Sequence, residues 1–508
     1  MLQRSFLAVL GGFLLTASFE PLALPWLLPF GVAAFALVTR DLTVRRAGLV
    51  GLLFGIAFYF THIAWMRTSV GPDAWAALAG IEAAFYGLLG LATPLLRRLP
   101  WWPVWLAAAW TTMETVRSGF PFSGMPWGRL SFAAIDTPAA PMVAYAGMTG
   151  LSFLLALLGF LLARAVEERT LPHVAAVVGL LVVFVGPAVW PFTVSESGTA
   201  RVAVVQGDVP GPGNDILYDP QGVTENHVDA TVRLAQEVAA GQQPRPDFVL
   251  WPENSTAVDP FADVPVNAMI LRAVEAVGVP VVVGAIVDDG PQHILNQGIV
   301  WDPVTGAGER YTKHHPVPYG EYIPFRDIWD PKFGQARPDH PGHEERHQHR
   351  APARGGDPGG GRDLLRRRLR RRDAPAGAGR RPACSPCRPA TRAFIFTHQI
   401  EQQFAITRLR AIEAGRWLTV ASTNGRTGII RPDGSVVDTA GIRSTAVLSE
   451  QVGLSTGLTP AMRLGAWPTR LFTGSTLGAL VAGAIAYRRG REFAGPVHVP
   501  AKEPTDAC

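Results

Sequence analysis

Residues 246–253 read Pro246-Asp247-Phe248-Val249-Leu250-Trp251-Pro252-Glu253, a short apolar run that ends in a proline and an acid. Such a run between turn formers is typical of a buried strand. In α/β folds, catalytic groups favour the carboxyl ends of strands, because the strand fixes the backbone while the side chain projects into a crevice. A glutamate beside an indole would also be partly desolvated, which suits a general base. The alternative for Glu253 is an ordinary surface acid at a strand end.

Strand and helix patterns alternate on both sides of this run, which predicts a layered α/β domain. The predicted strands are Arg201–Gln206, Pro246–Trp251, Val279–Ile286, Gln297–Trp301 and Leu418–Ser422; the predicted helices are Asn226–Ala240, Val266–Val277 and Gln399–Ala414; and a hairpin over Gly428–Val437 turns at Asp433-Gly434.

The composition predicts a membrane protein with an attached globular domain. The chain has 508 residues, of which 48% are hydrophobic and 17% charged, too apolar for an ordinary soluble protein. The net charge of +5 comes from residues 340–393, which hold 14 arginines and 5 acids; the rest of the chain has 32 basic and 36 acidic residues. The basic charge is therefore poor evidence for nucleic-acid binding.

Seven apolar stretches fill residues 1–196, and an eighth lies near the C-terminus. They are Phe6–Ala17, Leu24–Val38, Leu49–Met66, Ala74–Leu96, Trp101–Val116, Met142–Ala163, His173–Val194 and Thr473–Tyr487. Arginines follow every even-numbered stretch, and Arg4 precedes the first. Positive-inside bias then places both termini in the cytoplasm and residues 197–465 on the outer face.

Two acids, Glu82 and Glu114, fall within apolar stretches, where ionisable groups are costly and often functional. The alternative is that they pair within the bundle. The aromatic, turn-rich run from Phe120 to Arg129 predicts a loop at the outer lipid surface.

A second cluster, Arg310 to Phe325, holds Lys313, a turn pinned by proline and glycine, and then Glu321. Lys313 could stabilise an oxyanion, and Glu321 could orient it. The adjacent His314-His315 suggests a metal, but neighbours on a strand point to opposite faces, and no further ligands follow at metal spacing. We expect no metal.

Together these motifs resemble the nitrilase (carbon–nitrogen hydrolase) superfamily and, within it, the apolipoprotein N-acyltransferases. The resemblance rests on Val205–Pro210, Trp251-Pro252-Glu253, Lys313–Pro324, Thr397–Gln403, Arg408–Glu413 and Ser422–Gly425, and on a domain inserted before the last span. It implies an αββα sandwich on a multi-pass helical bundle of the bacterial plasma membrane. The implied units are 1–196 (bundle), 197–465 (catalytic domain), 466–491 (last span) and 492–508 (cytoplasmic tail).

The resemblance also implies the chemistry. Glu253 is the general base, Lys313 stabilises the oxyanion, and Glu321 is an additional acid beside the site. A cysteine thiolate takes an acyl chain from a membrane phospholipid, and the thioester passes it to the α-amine of a diacylglyceryl-cysteine lipoprotein. The expected partners are thus phospholipid and lipoprotein within a membrane, without nucleic acid or cofactor.

The cysteine itself is missing from its expected place. In the family it lies in a strand of the type apolar–Cys–aromatic–acid between Lys313 and the helix at Gln399. Cys384 and Cys387 fall in that interval, but prolines and arginines surround them. That context does not predict a strand, and we expect neither to be the nucleophile.

A shifted reading frame accounts for the gap. Codons for Ile-Cys-Phe-Asp-Val-Ala-Tyr-Asp, read one base earlier, can encode Asp363-Leu364-Leu365-Arg366-Arg367-Arg368-Leu369-Arg370. The cysteine codon would straddle Leu364 and Leu365. We therefore hypothesise frameshifts between His340 and Ala393. The alternative is a genuine basic, disordered insertion. Two other functions stay open: a membrane-bound amidase, and a catalytically dead lipid- or lipoprotein-binding protein.

Overall fold

The computed structural model describes residues 1–122, 124–211, 218–290, 293–313, 348–349, 385–387 and 395–492. Glu321 and the Leu364-Leu365 pair lie outside these residues. The description therefore covers most of the N-terminal part and most of the α/β domain on either side of the arginine-rich segment.

The N-terminal part is a bundle of apolar helices, each overlapping one of the predicted stretches. Its helices are α1 (Leu2–Ala17), α2 (Leu28–Thr39), α3 (Val44–His62), α4 (Met66–Ser69), α5 (Pro72–Leu96), α6 (Trp102–Arg117), α7 (Val143–Glu168) and α8 (Leu171–Val189). Within the described residues, four helical segments are long and apolar enough to cross a membrane: Val44–His62, Pro72–Leu96, Ala140–Glu168 and Leu171–Val189. The number of crossings stays a prediction.

Small residues and exposed apolar side chains indicate how the bundle is packed. A Cβ at Gly51 would lie 2.5 Å from the carbonyl oxygen of Tyr86, so α3 and α5 are in backbone contact. On α8, Val182 and Val189 are 65% and 74% exposed. An apolar face of that kind is stable against lipid rather than water.

The two acids predicted at membrane depth pair inside the bundle. Glu82 on α5 accepts from Arg117 on α6 at 3.2 Å, with both side chains buried. Arg117 also donates to the carbonyl oxygens of Met125 and Trp127. Glu114 accepts from the backbone N–H of Leu130 at 2.9 Å. The buried charges thus fix the loop after α6 to the end of the bundle. This is the alternative named above, in which the two acids pair within the bundle.

The α/β domain has two sheets. Its strands are β1 (Glu196–Gln206), β2 (Phe248–Leu250), β3 (Val281–Asp288), β4 (His293–Asp302), β5 (Gly306–Thr312), β6 (Gln348–His349), β7 (Ser385–Cys387), β8 (Leu418–Val420), β9 (Gly428–Ile430), β10 (Val436–Thr439) and β11 (Ala446–Ser455). The first sheet has the order β11-β1-β2-β3-β4-β5, with β6 beside β4, and the second has the order β10-β9-β8-β7. Strands β1, β2 and β3 are parallel.

The domain's helices are α9 (Pro220–Ala239), α10 (Val264–Val277) and α11 (Gln399–Ala414). Alternate residues of the first sheet face opposite layers. Val249 and Trp251 pack with the helices α9 and α10, whereas Phe248 and Leu250 pack against the second sheet. Helix α11 covers the other face of the second sheet through Phe404. The layers therefore follow the order helix, sheet, sheet, helix, which confirms the predicted αββα sandwich.

Helix α11 also joins the sandwich to the bundle. Its Leu409 and Ile412 belong to the bundle's apolar core. The Gln402 amide accepts from Trp65 Nε1 at 3.0 Å and donates to the carbonyl oxygens of Glu20 and His62. After α12 (Pro460–Leu464), the chain returns to the bundle as α13 (Trp467–Glu492).

Two features differ from the sequence predictions. Strands β5 and β11 were not predicted. Strand β11 pairs along the whole of β1, but its many polar residues obscure the alternation of apolar and polar positions that identifies a strand in the sequence. The second difference concerns Cys387. We predicted that its surroundings would not form a strand, and this was wrong, because the backbone of β7 pairs in parallel with β8. Backbone pairing of this kind does not require a typical strand composition at a sheet edge, where proline is tolerated.

Candidate active site

Glu253 lies where the first sheet opens after β2. The chain leaves β2 through Trp251 and Pro252 and then turns, with Asn254 in the left-handed region at φ 58°. The neighbouring strand β3 requires a glycine at position 284, because a Cβ at Gly284 would lie 2.1 Å from the Pro252 carbonyl oxygen. The backbone at Glu253 therefore packs directly against β3, and Glu253 is only 6% exposed.

Lys313 follows directly after β5 and reaches the same point. Its backbone N–H donates to the Asn296 carbonyl on β4 at 2.9 Å, which extends the strand ladder by one bond. Its Nζ donates to Glu253 Oε1 at 3.0 Å, and the lysine side chain is 27% exposed. The structure thus brings together two of the three predicted site residues; Glu321, the third, lies outside the described residues.

Two further residues hold Glu253, and no sequence motif indicated a role for either. Asn296 Nδ2 donates to Glu253 Oε1. Thr423, three residues after β8, donates from its hydroxyl to the Glu253 carbonyl at 3.0 Å, and its own carbonyl accepts from Asp208 N–H at 2.8 Å. Thr423 lies in the Ser422–Gly425 motif of the family resemblance. Asn296 is a polar residue within β4, and the sequence gave no signal for its contact with Glu253.

The arrangement suits acyl-transfer chemistry. A buried carboxylate paired with one cation keeps the pair net neutral, so that the site can accept one developing negative charge. A carboxylate in this position can take a proton, and a lysine ammonium beside it can stabilise an oxyanion, since the Lys313 side chain is 27% exposed. Among the described residues, no group of three or more His, Cys, Asp or Glu could hold a metal ion.

Behind the site, His227 on α9 fixes the end of β1. Its Nε2 accepts from Gly207 N–H at 3.2 Å, and its Nδ1 donates to the Val223 carbonyl at 2.7 Å. This pattern is that of a neutral imidazole with the proton on Nδ1. Burial lowers the pKa of His227 to about 4. At neutral pH, His227 is therefore an uncharged residue that holds the C-terminal end of β1 in place.

The helical bundle and the αββα domain with its Glu–Lys pair define a class: membrane-embedded proteins with an αββα domain suited to acyl transfer. Sequence comparison specifies the family. Residues 11–161 match the apolipoprotein N-acyltransferase N-terminal domain. The apolipoprotein N-acyltransferase of Mycolicibacterium smegmatis is 35% identical over 500 residues, which cover 90% of this chain and 81% of that protein. The chain belongs to the apolipoprotein N-acyltransferase family.

Two further similarities illustrate the range. The apolipoprotein N-acyltransferase of Ralstonia nicotianae is 28% identical, over 95% of this chain and 93% of its own length. Among solved structures, an amidase from Nesterenkonia sp. covers 55% of this chain and 98% of its own, with 14% identity and a TM-score of 0.31. The family assignment rests on the sequence relatives and not on this structural likeness.

Proposed function

We propose that this protein N-acylates lipoproteins, taking an acyl chain from a membrane phospholipid and transferring it to the N-terminal amine of diacylglyceryl-cysteine. The observation that carries the proposal is the Glu253–Lys313 pair, with 3.0 Å between Oε1 and Nζ, on a domain joined to apolar helices. The relatives named apolipoprotein N-acyltransferase supply the acceptor class. A phospholipid donor fits a site joined to a membrane bundle.

In the first step, Glu253 takes the proton of a cysteine thiol, and the thiolate attacks an ester carbonyl of the phospholipid. Lys313 Nζ stabilises the oxyanion of the tetrahedral intermediate. When the intermediate collapses, the C–O bond breaks, and Glu253 returns the proton to the departing lysophospholipid oxygen. The acyl chain is left as a thioester, so one hard transfer becomes two easier ones.

In the second step, the lipoprotein α-amine attacks the thioester carbonyl. Glu253 takes the proton that the amine loses, the C–S bond breaks, and the proton returns to the thiolate. Lys313 stabilises the second oxyanion as it did the first. We assign Glu321 to the edge of the same site, as the resemblance implies, where its negative charge would orient Lys313.

The printed chain has no cysteine in the apolar–Cys–aromatic–acid context that is expected of the nucleophile. We propose that the cysteine codon lies in another frame across Leu364 and Leu365, so that the printed chain is inactive. Cys387 is the only cysteine among the described residues, and its backbone lies in β7 beside β8. It is therefore the rival nucleophile that an experiment has to exclude.

We propose the same division of the chain as above: bundle 1–196, catalytic domain 197–465, last span 466–491 and tail 492–508. The sequence pattern of arginines supports a plasma-membrane protein whose catalytic domain faces outward. That orientation suits lipoproteins, whose modified N-termini would have to meet the site at the outer lipid surface.

An acyl-transfer assay separates the candidate functions. Membranes carrying the frame-restored chain are incubated with phospholipid and a diacylated lipopeptide, and the triacylated product is measured. The proposal expects product, its loss in Glu253→Gln and Lys313→Ala, and no ammonia from simple amides. Ammonia release without lipopeptide acylation would favour the amidase, and neither product would favour a protein that only binds lipid or lipoprotein.

A further inference from the structure

Helix α7 is broken after its first turn, and the α/β domain caps the part that follows. Gly147 has φ 71° and ψ 173°, outside the helical region, so a second run of helix begins at Met148. The backbone N–H of Met148 donates to Glu413 Oε1 at 3.0 Å, and Glu413 lies on α11, 265 residues further along the chain. A carboxylate suits this place, because it accepts from an unpaired N–H and faces the positive end of the helix dipole.

Glu413 is held from the side of the sandwich as well. Its Oε2 accepts from Arg410 on the same helix. Its backbone carbonyl accepts from the hydroxyl of Thr459, which caps α12 by accepting from the Met462 N–H at 3.2 Å. The Glu413 side chain is only 12% exposed. Glu413 therefore links α11 and α12 directly to a helix of the bundle.

Earlier on α11, Arg408 makes a second polar link to the bundle. Its Nη1 and Nη2 donate to the two oxygens of Asp136, which lies between α6 and α7, at 3.1 and 2.7 Å. Its Nε donates to the Gly434 carbonyl at the turn between β9 and β10 at 2.9 Å. The Asp136 side chain is 61% exposed, so the ion pair contributes little free energy. Its bidentate geometry nevertheless fixes the direction in which α11 meets the bundle.

The other face of α11 leads to the candidate active site. Phe404 packs against Leu418 and Val420 of β8, and shortly after β8 the Thr423 hydroxyl donates to the Glu253 carbonyl at 3.0 Å. A shift of α11 on the bundle would therefore carry Glu253 with it. The headgroup and ester layer of one bilayer leaflet is only about 5–8 Å thick. Because one helical turn is about 5.4 Å, a slip of one turn would move the site across most of that layer.

We propose that Glu413 and Arg408 are positioning residues, which hold α11 in one register on the bundle and so set the depth at which the site meets the ester carbonyl of a bilayer phospholipid. This role rests on the function proposed above, since the depth matters only for an acyl donor within the membrane. Both residues act through α11 and not on the reacting atoms. A donor that reaches the site from water should therefore be insensitive to them.

The test measures acyl-enzyme formation by the frame-restored full-length chain without acceptor, by intact-protein mass spectrometry. The two donors are vesicles of phosphatidylethanolamine and phosphatidylglycerol, and water-soluble p-nitrophenyl acetate. Glu413→Ala should slow acylation from the vesicles roughly tenfold or more, since small displacements of a catalytic group are costly, and leave acylation by p-nitrophenyl acetate unchanged. Glu413→Gln keeps an oxygen for the Met148 N–H and should retain most of the vesicle rate. The matched control is Glu275→Ala, which removes an exposed acid from α10.

Arg408→Gln is the second variant, in case Glu413→Ala does not fold. It should show the same difference between the two donors. Its control, Arg272→Gln, breaks the exposed ion pair with Asp229 at 2.8 Å and should change neither rate. Equal losses with both donors in Arg408→Gln, or no loss from vesicles in either variant, would overturn the proposal. An unsubstituted restored chain that neither donor acylates would contradict the proposed function itself, and the positioning role with it.

Discussion

Four side chains from four elements define the candidate site at the scale of single residues. We propose that Glu253 and Lys313 carry the chemistry. Asn296 donates to the Glu253 carboxylate and Thr423 donates to the Glu253 backbone carbonyl, so both hold Glu253 in place. Sequence motifs were sufficient to nominate the first pair. They could not nominate Asn296, because its contact depends on the register of β4 with β5 and β3.

Thr423→Val should lower acyl transfer by the frame-restored chain by roughly 10- to 100-fold, since small displacements of a catalytic group are costly. Valine removes the hydroxyl that the Glu253 carbonyl accepts and leaves that carbonyl without this donor. Thr423→Ser keeps the hydroxyl and should retain most activity. Product formation and melting temperature are measured for both variants. Equal activity in the two variants would show that this hydrogen bond does not position the base.

His227 predicts a pH dependence of stability. Burial lowers its pKa to about 4, whereas an unfolded histidine titrates near pH 6.5. Between these values the unfolded chain binds more protons, so the stabilisation is complete above about pH 6.5 and is lost as the pH falls towards 4. The melting temperature of the wild-type protein should therefore fall more steeply between pH 7 and 5 than that of His227→Gln. Parallel pH profiles would contradict this assignment.

At the scale of elements, α11 was predicted at its observed bounds, Gln399–Ala414. In the structure the helix ends because Gly415 follows it in the left-handed conformation. The sequence pattern could not show that α11 packs against two different layers. The same helix packs on the second sheet through Phe404 and on the bundle through Leu409. Periodicity identifies a buried face but does not say which of two layers will cover it.

Gln402 is the polar centre of that junction and is 6% exposed. Gln402→Leu has nearly the same size but removes the hydrogen bonds that the amide makes with Trp65 Nε1 and with two backbone carbonyls, so we expect a loss of about 2 kcal/mol or more in unfolding free energy. Gln236→Leu, at an exposed site on α9, is the matched control. Thermal unfolding and protease sensitivity in detergent are compared. Equal stability of the two variants would exclude the amide as an anchor.

At the scale of the whole molecule, the bundle, the sandwich and their order along the chain could all be predicted from hydropathy and strand–helix alternation. The pairing of Glu82 with Arg117 could not be predicted from the sequence, because the two residues lie 35 positions apart and meet only through helix packing. The arginine-rich segment is the place where local pattern and global fold disagree, since a core strand is expected and a polycationic run is printed.

Orientation is tested by cysteine accessibility in a chain whose three native cysteines are serine. Arg233→Cys on α9 should react with a membrane-impermeant maleimide on intact cells. Arg169→Cys, between α7 and α8, should react only after the membrane is opened. Both positions are exposed, so differences in labelling report sidedness and not burial. The reverse labelling pattern would place the catalytic domain in the cytoplasm.

We propose that the arginine-rich segment hides the nucleophile of a lipoprotein N-acyltransferase. The direct measurement is formation of triacylated lipopeptide from phospholipid by three chains: the printed chain, its Cys387→Ala variant, and a chain with the alternative frame restored around Leu364-Leu365. We predict product only from the restored chain. Product from the printed chain that disappears in Cys387→Ala would rule out a hidden nucleophile and make Cys387 the nucleophile.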